Sequence, residues 1–394
     1  VLELDPVNRV ALHALADTLL QNRRWEELVP VLEKLAETSQ DPQECIDIYT
    51  KIAQVFDNNL KDSKKAIESY QKVLTKEQTH LPTLKALEEI CMREKDWKGL
   101  ARVLEKEAEV FQNPKMAMTM YLWAGEIYNT RLSDIEGAIS SYTKALAFSP
   151  NDVPTLRSLE TLYSLKGAYD ESIKAYKKIL KATEDPNEQA LLHFKIGKIY
   201  EKSLHRMDEA IENYNKVLSL APAHLGALSA LEGIYREKQN WDDLVKIIEA
   251  RAKAQEDPRD VASLYAIQGD IYEHDLHSDE KAIAAYAKSF SLDQDNIQAF
   301  EGLKRLYMNR EAYSELVQLM EKKEERLTAP EERSALLYRV AVLTEHKLMQ
   351  ADKAQSLYQH SLELTPTHFP SLLALEQIFI KTKKWEDLIG VYKK

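Results

Sequence analysis

The strongest constraint on this chain is a step of 72 residues that recurs without insertion or deletion. It links the aromatics Trp25, Trp97, Tyr169, Trp241, Tyr313 and Trp385. Ala66, Ala138, Ala210, Ala282 and Ala354 keep the same step, as do Tyr70, Tyr142, Tyr214, Tyr286 and Tyr358. Pro42, Pro114, Pro186, Pro258 and Pro330 keep it too. A fixed period of this kind marks a repeat array, in which a unit that cannot bury its apolar face alone buries it against its neighbours.

Each unit divides into two halves. Over residues 186–222, apolar side chains recur at helical spacing in two blocks: Leu192, Ile196, Ile199 and Tyr200, then Ala210, Ile211, Tyr214, Val217 and Leu218. Asp185 and Pro186 predict the first helix start, with Asp as N-cap and Pro where its missing N–H is harmless. The polar stretch His205–Asp208 predicts a tight antiparallel hairpin, and Pro222 ends the second helix. Residues 223–255 predict a second hairpin, whose second helix opens at Trp241. Counting halves along 394 residues gives about eleven hairpins, or roughly 22 helices. An all-α array is the expected fold class. Only 10 glycines and 13 prolines occur, which agrees with helices and disfavours turn-rich β folds.

Composition excludes several functions. The net charge is −11, so the basic footprint of a nucleic-acid binder is missing. No apolar run reaches ~18 residues, so no membrane insertion is expected. Phosphate loops, HExxH, GxSxG and EF-hand patterns are absent, and no enzyme, cofactor or metal is expected. His274 and His277 lie three apart but fall at a helix end and loop. His80, His224 and His368 share a register with Asn8, Asp152 and Asn296, which reads as an N-cap position. Cys45 and Cys91 form neither a disulfide framework nor a zinc pattern. A cytoplasmic location is expected, although a processed N-terminus leaves the periplasm open. The chain opens with VLELDP, read as the tail of a helix, and closes with YKK inside another. Residues 1–394 are therefore expected to be a single array cut from a longer one.

The spacing Gly197, Tyr200, Ala210, Tyr214, Pro222 resembles the tetratricopeptide repeat, with a loop one residue longer than usual. The second hairpins depart from that pattern, carrying Glu88, Glu160, Glu232 and Glu376 where the first hairpins are small. The resemblance covers the whole chain. It implies a right-handed superhelical solenoid whose first helices line a concave groove, and a scaffold that binds a partner protein or peptide there.

Groove positions carry no packing duty, so residues that break the period are the candidates. Trp123 is the tryptophan outside the register, in a stretch with Met116, Met118, Met120 and Leu122. Aromatic and Arg anchors dominate binding energy, and Met-rich surfaces adapt to partners. Thr50, Leu122, Phe194, Ala266 and Tyr338 share one register, and Arg157 takes the equivalent place in the hairpin between Leu122 and Phe194. Lys198 lies one turn beyond Phe194. The alternative for Trp123 is local repacking between hairpins. Asp57, Asn129, Glu201, Glu273 and Glu345 form an acidic rail that reads either as a solvated face or as a docking strip for a basic or amphipathic segment. Chaperone-docking arrays clamp a carboxylate with Asn. Here that place reads Asp17, Gln54, Glu89, Glu126, Thr161, Lys198, Gly233, Asp270, Arg305, Val342 and Gln377, so no such clamp is expected. A rival to partner binding is self-association through terminal repeats.

Overall fold

The computed structural model describes residues 2, 5 and 7–393, and among them the chain forms 22 α-helices and no strand. The expected helix tail at residues 1–6 lies mostly outside the described residues, as does the final lysine. The period sets where helices begin. Each register aromatic is the first residue of a helix: Trp25–Thr38, Trp97–Val110, Tyr169–Ala182, Trp241–Ala254, Tyr313–Glu324 and Trp385–Tyr392. Each register proline also opens one: Pro42–Gln54, Pro114–Thr130, Pro186–Lys198, Pro258–Asp270 and Pro330–His346. Asp41, Asn113, Asp185 and Asp257 stand before four of these prolines, and each side chain accepts the N–H two residues on. In the second hairpins Asn8, Asp152 and Asn296 accept the N–H three residues on, and His224 does the same with Nδ1 at 3.1 Å. The histidine register is thus an N-cap position, although His80 and His368 turn Nδ1 to the hydroxyls of Thr83 and Ser371 instead of to a backbone N–H.

The turns are equally periodic. Arg23, Lys95, Gly167, Gln239, Glu311 and Lys383 are left-handed, and so are Lys61, Ser133, His205, His277 and Met349. Only Gly167 is the residue that this conformation favours. The extra residue of the first hairpins is absorbed before the turn. Helices Pro42–Gln54, Pro186–Lys198 and Pro258–Asp270 each widen into a π-helical turn, at Val55–Leu60, Ile199–Ser203 and Ile271–Asp275.

Contacts divide the chain into two compact units, one ending at Glu184 and the other starting at Asp185. The first holds the ten helices from Arg9–Gln21 to Tyr169–Ala182, and the second the twelve from Pro186–Lys198 to Trp385–Tyr392. Each is a stack of helix hairpins with apolar clusters buried between them. In the second unit Tyr214 and Tyr286 are fully buried, and each such side chain contributes roughly 1.5–3 kcal/mol. Their rings lie on small residues: a Cβ at Gly197 would stand 2.8 Å from Tyr214 Cε1, and one at Gly269 would stand 2.6 Å from Tyr286 Cδ1.

The register aromatics act as wedges. Trp25, Trp97, Tyr169, Trp241 and Tyr313 are half-buried, while Trp385 is exposed. Arg131 lies 5.1 Å over the Trp97 ring and Lys347 lies 5.1 Å over Tyr313, so a cation from the following turn covers the wedge.

Candidate partner-binding surface

In the first unit, helix Pro114–Thr130 carries Met118, Leu122 and Trp123. Met118, Met120 and Leu122 are half-buried against Ala108, Ala117, Tyr121 and Ala145. Trp123 is half-buried too, neither sealed between helices nor free in solvent. Arg157 is exposed on helix Val153–Lys166.

In the second unit, Phe194, Lys198 and Glu201 line one open concavity of about 620 Å³. Its opposite wall is the helix Leu225–Glu237, which presents Gly226, Ser229, Ala230 and Gly233. These positions follow i, i+3, i+4, i+7 and form one helix face. Because they are small, the floor stays low. Phe194 is placed by this face: a Cβ at Gly226 would sit 2.9 Å from Phe194 Cζ. The ring also packs 4.7 Å from the His224 ring and 5.8 Å from Tyr214, and the Lys198 ammonium lies 5.8 Å from its centre. Tyr338 repeats this construction two periods on, 5.8 Å from Tyr358 and 5.6 Å from His368. Phe194 and Tyr338 therefore do packing work as well as lining a surface. The small face of Leu225–Glu237 escaped the sequence reading, although the spacing within LGALSALEGIY carries the signal.

Two members of the acidic rail, Glu201 and Glu273, are tied to neighbouring side chains rather than freely solvated. Tyr214 donates to Glu201 at 2.6 Å, and Lys202 pairs with it at 2.6 Å. Both oxygens of Glu273 bind Arg305 at 2.7 Å, and Tyr286 donates to it at 3.1 Å. The Arg305 bond, together with its charge, holds the Glu273 carboxyl below its ordinary range. These carboxylates are engaged inside the fold because a buried phenol hydroxyl needs an acceptor.

A Ser–His chain joins His368 Nδ1 to Ser371 at 2.8 Å, Ser371 to Ser361 at 2.9 Å and Ser361 to Ser334 at 2.7 Å. All three serines are fully buried, so no substrate reaches them. Among the described residues no three His, Cys, Asp or Glu side chains converge as metal ligands. No described helix is long and apolar enough to cross a membrane.

A family model of the tetratricopeptide repeat matches residues 11–46, 155–190 and 227–262, and a second model of that repeat matches 46–76 and 190–224. No curated protein matches the sequence significantly. Similar solved structures include the C-terminal part of a TPR repeat-containing protein from Cytophaga hutchinsonii, at 18% identity and TM-score 0.31, covering 74% of this chain and 98% of that one. YrrB, described as a TPR protein with an unusual peptide-binding site, is 16% identical with TM-score 0.28, covering 52% of this chain and 99% of that one. MamA is 22% identical with TM-score 0.26, covering 45% of this chain and 92% of that one.

Proposed function

Because this chain is a tetratricopeptide-repeat protein, we propose that it is a non-catalytic scaffold that holds a protein or peptide segment against the first helices of its hairpins. Repeats of this family support a role in protein interaction. One observation carries the finer reading: Phe194 and Lys198 face a low floor of Gly226, Ser229, Ala230 and Gly233 across an open concavity. An aromatic wall beside a low floor suits insertion of one bulky side chain from an extended segment. The charges around it are balanced, with Lys198 and Lys202 against Glu201 and Glu237, so shape weighs more than charge at this place. Trp123, Leu122, Met118 and Arg157 form the corresponding candidate surface of the first unit, and Tyr338 that of a later repeat.

Selection of random displayed peptides on the immobilised chain tests this reading. The expected result is an enriched motif with a bulky apolar residue, whose binding is lost in Phe194→Ala and in Gly233→Trp, which fills the floor. A motif that depends on Trp123→Ala instead moves the site to the first unit. If no motif emerges, or if none of the three variants affects it, the reading fails.

A further inference from the structure

In the first unit a groove of about 540 Å³ runs between helices Ser63–Lys76 and Trp97–Val110. Its floor is apolar, with Ile67, Leu74, Leu87 and Val103. One wall carries Lys98, Arg102 and Lys106, which follow i, i+4, i+8 along helix Trp97–Val110 and so form one stripe. The facing wall is neutral, with Gln71, Thr75 and Gln78.

These three cations are unanswered. Among the described residues no hydrogen bond or ion pair reaches the head of Lys98, Arg102 or Lys106. Arg102 lies near the phenol of Tyr128, a neutral group. The acids of the same stretch are engaged elsewhere. Asp96, the one acid among the described residues that lines the groove, caps the helix by accepting the Gly99 N–H at 2.9 Å. Glu105 accepts from Ser141 at 2.7 Å and lies 3.5 Å from Lys144. Glu107 is buried against Lys85, and Glu109 lies beyond the groove, toward Tyr121.

The other periods are built differently. In each of them at least one of the two residues after the register aromatic is an acid, such as Asp170 and Glu171 or Asp242 and Asp243. Acids belong there, because the first turn is the positive end of the helix dipole. They also pair with the base that shares the Arg102 register: Lys174 bonds Glu171 at 2.6 Å and Lys246 bonds Asp243 at 2.9 Å. Here Lys98 and Gly99 replace both acids. A cation thus stands where the dipole disfavours one, and Arg102 loses its internal partner. A local rule broken in one period only, beside an apolar groove, marks a place shaped for something other than stability.

We propose that this groove docks an acidic amphipathic segment of a partner protein, with carboxylates on Lys98, Arg102 and Lys106 and apolar side chains on Ile67, Leu74 and Val103. The partner supplies the first-turn acid that the other periods carry themselves. The Arg102 fork suits a carboxylate in two-point fashion. Four residues of helix rise about 6 Å, so a helical segment with acids at i, i+4 matches the stripe. The net charge of −11 does not prevent this, since charges beyond a Debye length of about 8 Å at physiological salt are largely screened. It does disfavour a nucleic acid, which spreads its charge over a longer surface than this stripe and has no use for the apolar floor. The concavity of the second unit uses other residues, so the two sites stand or fall separately.

The probe is a fluorescein-labelled peptide of Glu, Leu and Ala with Glu at helical i, i+4 spacing, titrated by anisotropy into the full chain below its melting temperature. A second peptide carries Lys for Glu, a third carries Ser for Leu, and a labelled oligothymidylate stands for nucleic acid. The Glu peptide should bind saturably, and the other three should bind about tenfold more weakly or worse. Lys98→Asp with Arg102→Glu should weaken the Glu peptide by about tenfold or more. Lys98→Asp alone restores the first-turn acid of the other periods, so it should lose binding without losing melting temperature. The matched reversal Lys177→Glu with Lys181→Glu, outside the groove, should stay within about twofold. Equal losses in the two double reversals would mean diffuse attraction and overturn the proposal. It is also overturned if the Glu peptide does not bind saturably, if the Lys or Ser peptide binds as well, or if the oligothymidylate does, which would assign the groove to nucleic acid.

Discussion

The hydroxyl of Tyr214 donates to the carboxylate of Glu201 at 2.6 Å, joining the second helix of a hairpin to the end of its first. The same relationship links Tyr286 to Glu273 at 3.1 Å and Tyr358 to Glu345 at 2.9 Å. Where the rail carries Asn129, Tyr142 turns one helical turn back and donates to Glu126 at 3.2 Å. A row of acids thus answers a row of buried phenols. Burial, helped by the adjacent carboxylate, pushes the Tyr142 phenol up to about 12 and those of Tyr214 and Tyr286 still higher. The phenols remain donors at any physiological pH.

Tyr214→Phe removes one donor and leaves the Glu201 oxygen facing an apolar ring. The expected loss is about 1 kcal/mol. Urea denaturation of the variant beside the parent chain measures it. An unchanged midpoint would show that water replaces the hydroxyl and that the pair adds no stability.

Tyr286 is more tightly seated, because its ring touches both Gly269 and Gly302. A Cβ at either position would stand 2.6 Å from a ring carbon, and the tyrosine is fully buried. Gly269→Ala should therefore destabilise the second unit by about 1–3 kcal/mol through overpacking. Ala341 fills the same register beside Tyr358, so Ala341→Gly should act oppositely to a simple propensity scale only if close approach matters there too. Thermal melts of both variants decide the point, and a harmless Gly269→Ala would show that the helices shift apart freely.

The periodic features were legible in the sequence because each repeats a local rule. The prolines and aromatics open helices, and His224 caps one, as spacing alone implied. The candidate surface was half legible. Phe194 and Lys198 meet in one concavity, but the small face opposite them was missed, since small residues look like packing residues until the helices are placed. The partners of the rail were hidden for the same reason. One acid per period looks like a charged strip, whereas its periodicity comes from the tyrosine that each acid serves. The left-handed turn residues were invisible, because ten of the eleven are not glycine.

Those turns supply a direct stability test. Lys95 ends its helix at φ 59°, ψ 30°, a conformation that strains a residue bearing a Cβ by roughly 1–2 kcal/mol. Glycine relieves that strain but loses more backbone entropy on folding, so Lys95→Gly should gain about 0.5–1 kcal/mol. Gly167 occupies the same register at φ 76°, and Gly167→Ala should lose a similar amount. Paired melting curves test both signs at once. A destabilised Lys95→Gly would mean that the lysine stem makes contacts worth more than the strain.

Glu107 gives the fold a pH dependence of definite sign. Its side chain is fully buried on helix Trp97–Val110, and its Oε1 has no hydrogen-bond partner. Its Oε2 meets Lys85 at 3.3 Å, and the same ammonium also holds Glu88 at 3.0 Å. The equivalent residues of the two adjoining periods are Leu35 and Ile179, both buried, while later periods carry Arg251 and Lys323 there. Burial, and then the charge of Glu88, hold the Glu107 carboxyl above its ordinary value. The folded state therefore binds this proton more tightly than the unfolded chain does. The corresponding stability is present at low pH and is lost as pH rises from the ordinary carboxylate value through the raised folded one. Glu107→Gln keeps the shape but cannot ionise. The stability gap between Glu107→Gln and the parent chain should widen in the variant's favour as pH rises from about 4 to about 8. Glu107→Leu should be more stable than the parent at neutral pH, because it restores the apolar residue of the neighbouring periods. Denaturation midpoints across that pH range measure both. A gap that stays constant with pH would mean that Lys85 keeps Glu107 ionised throughout.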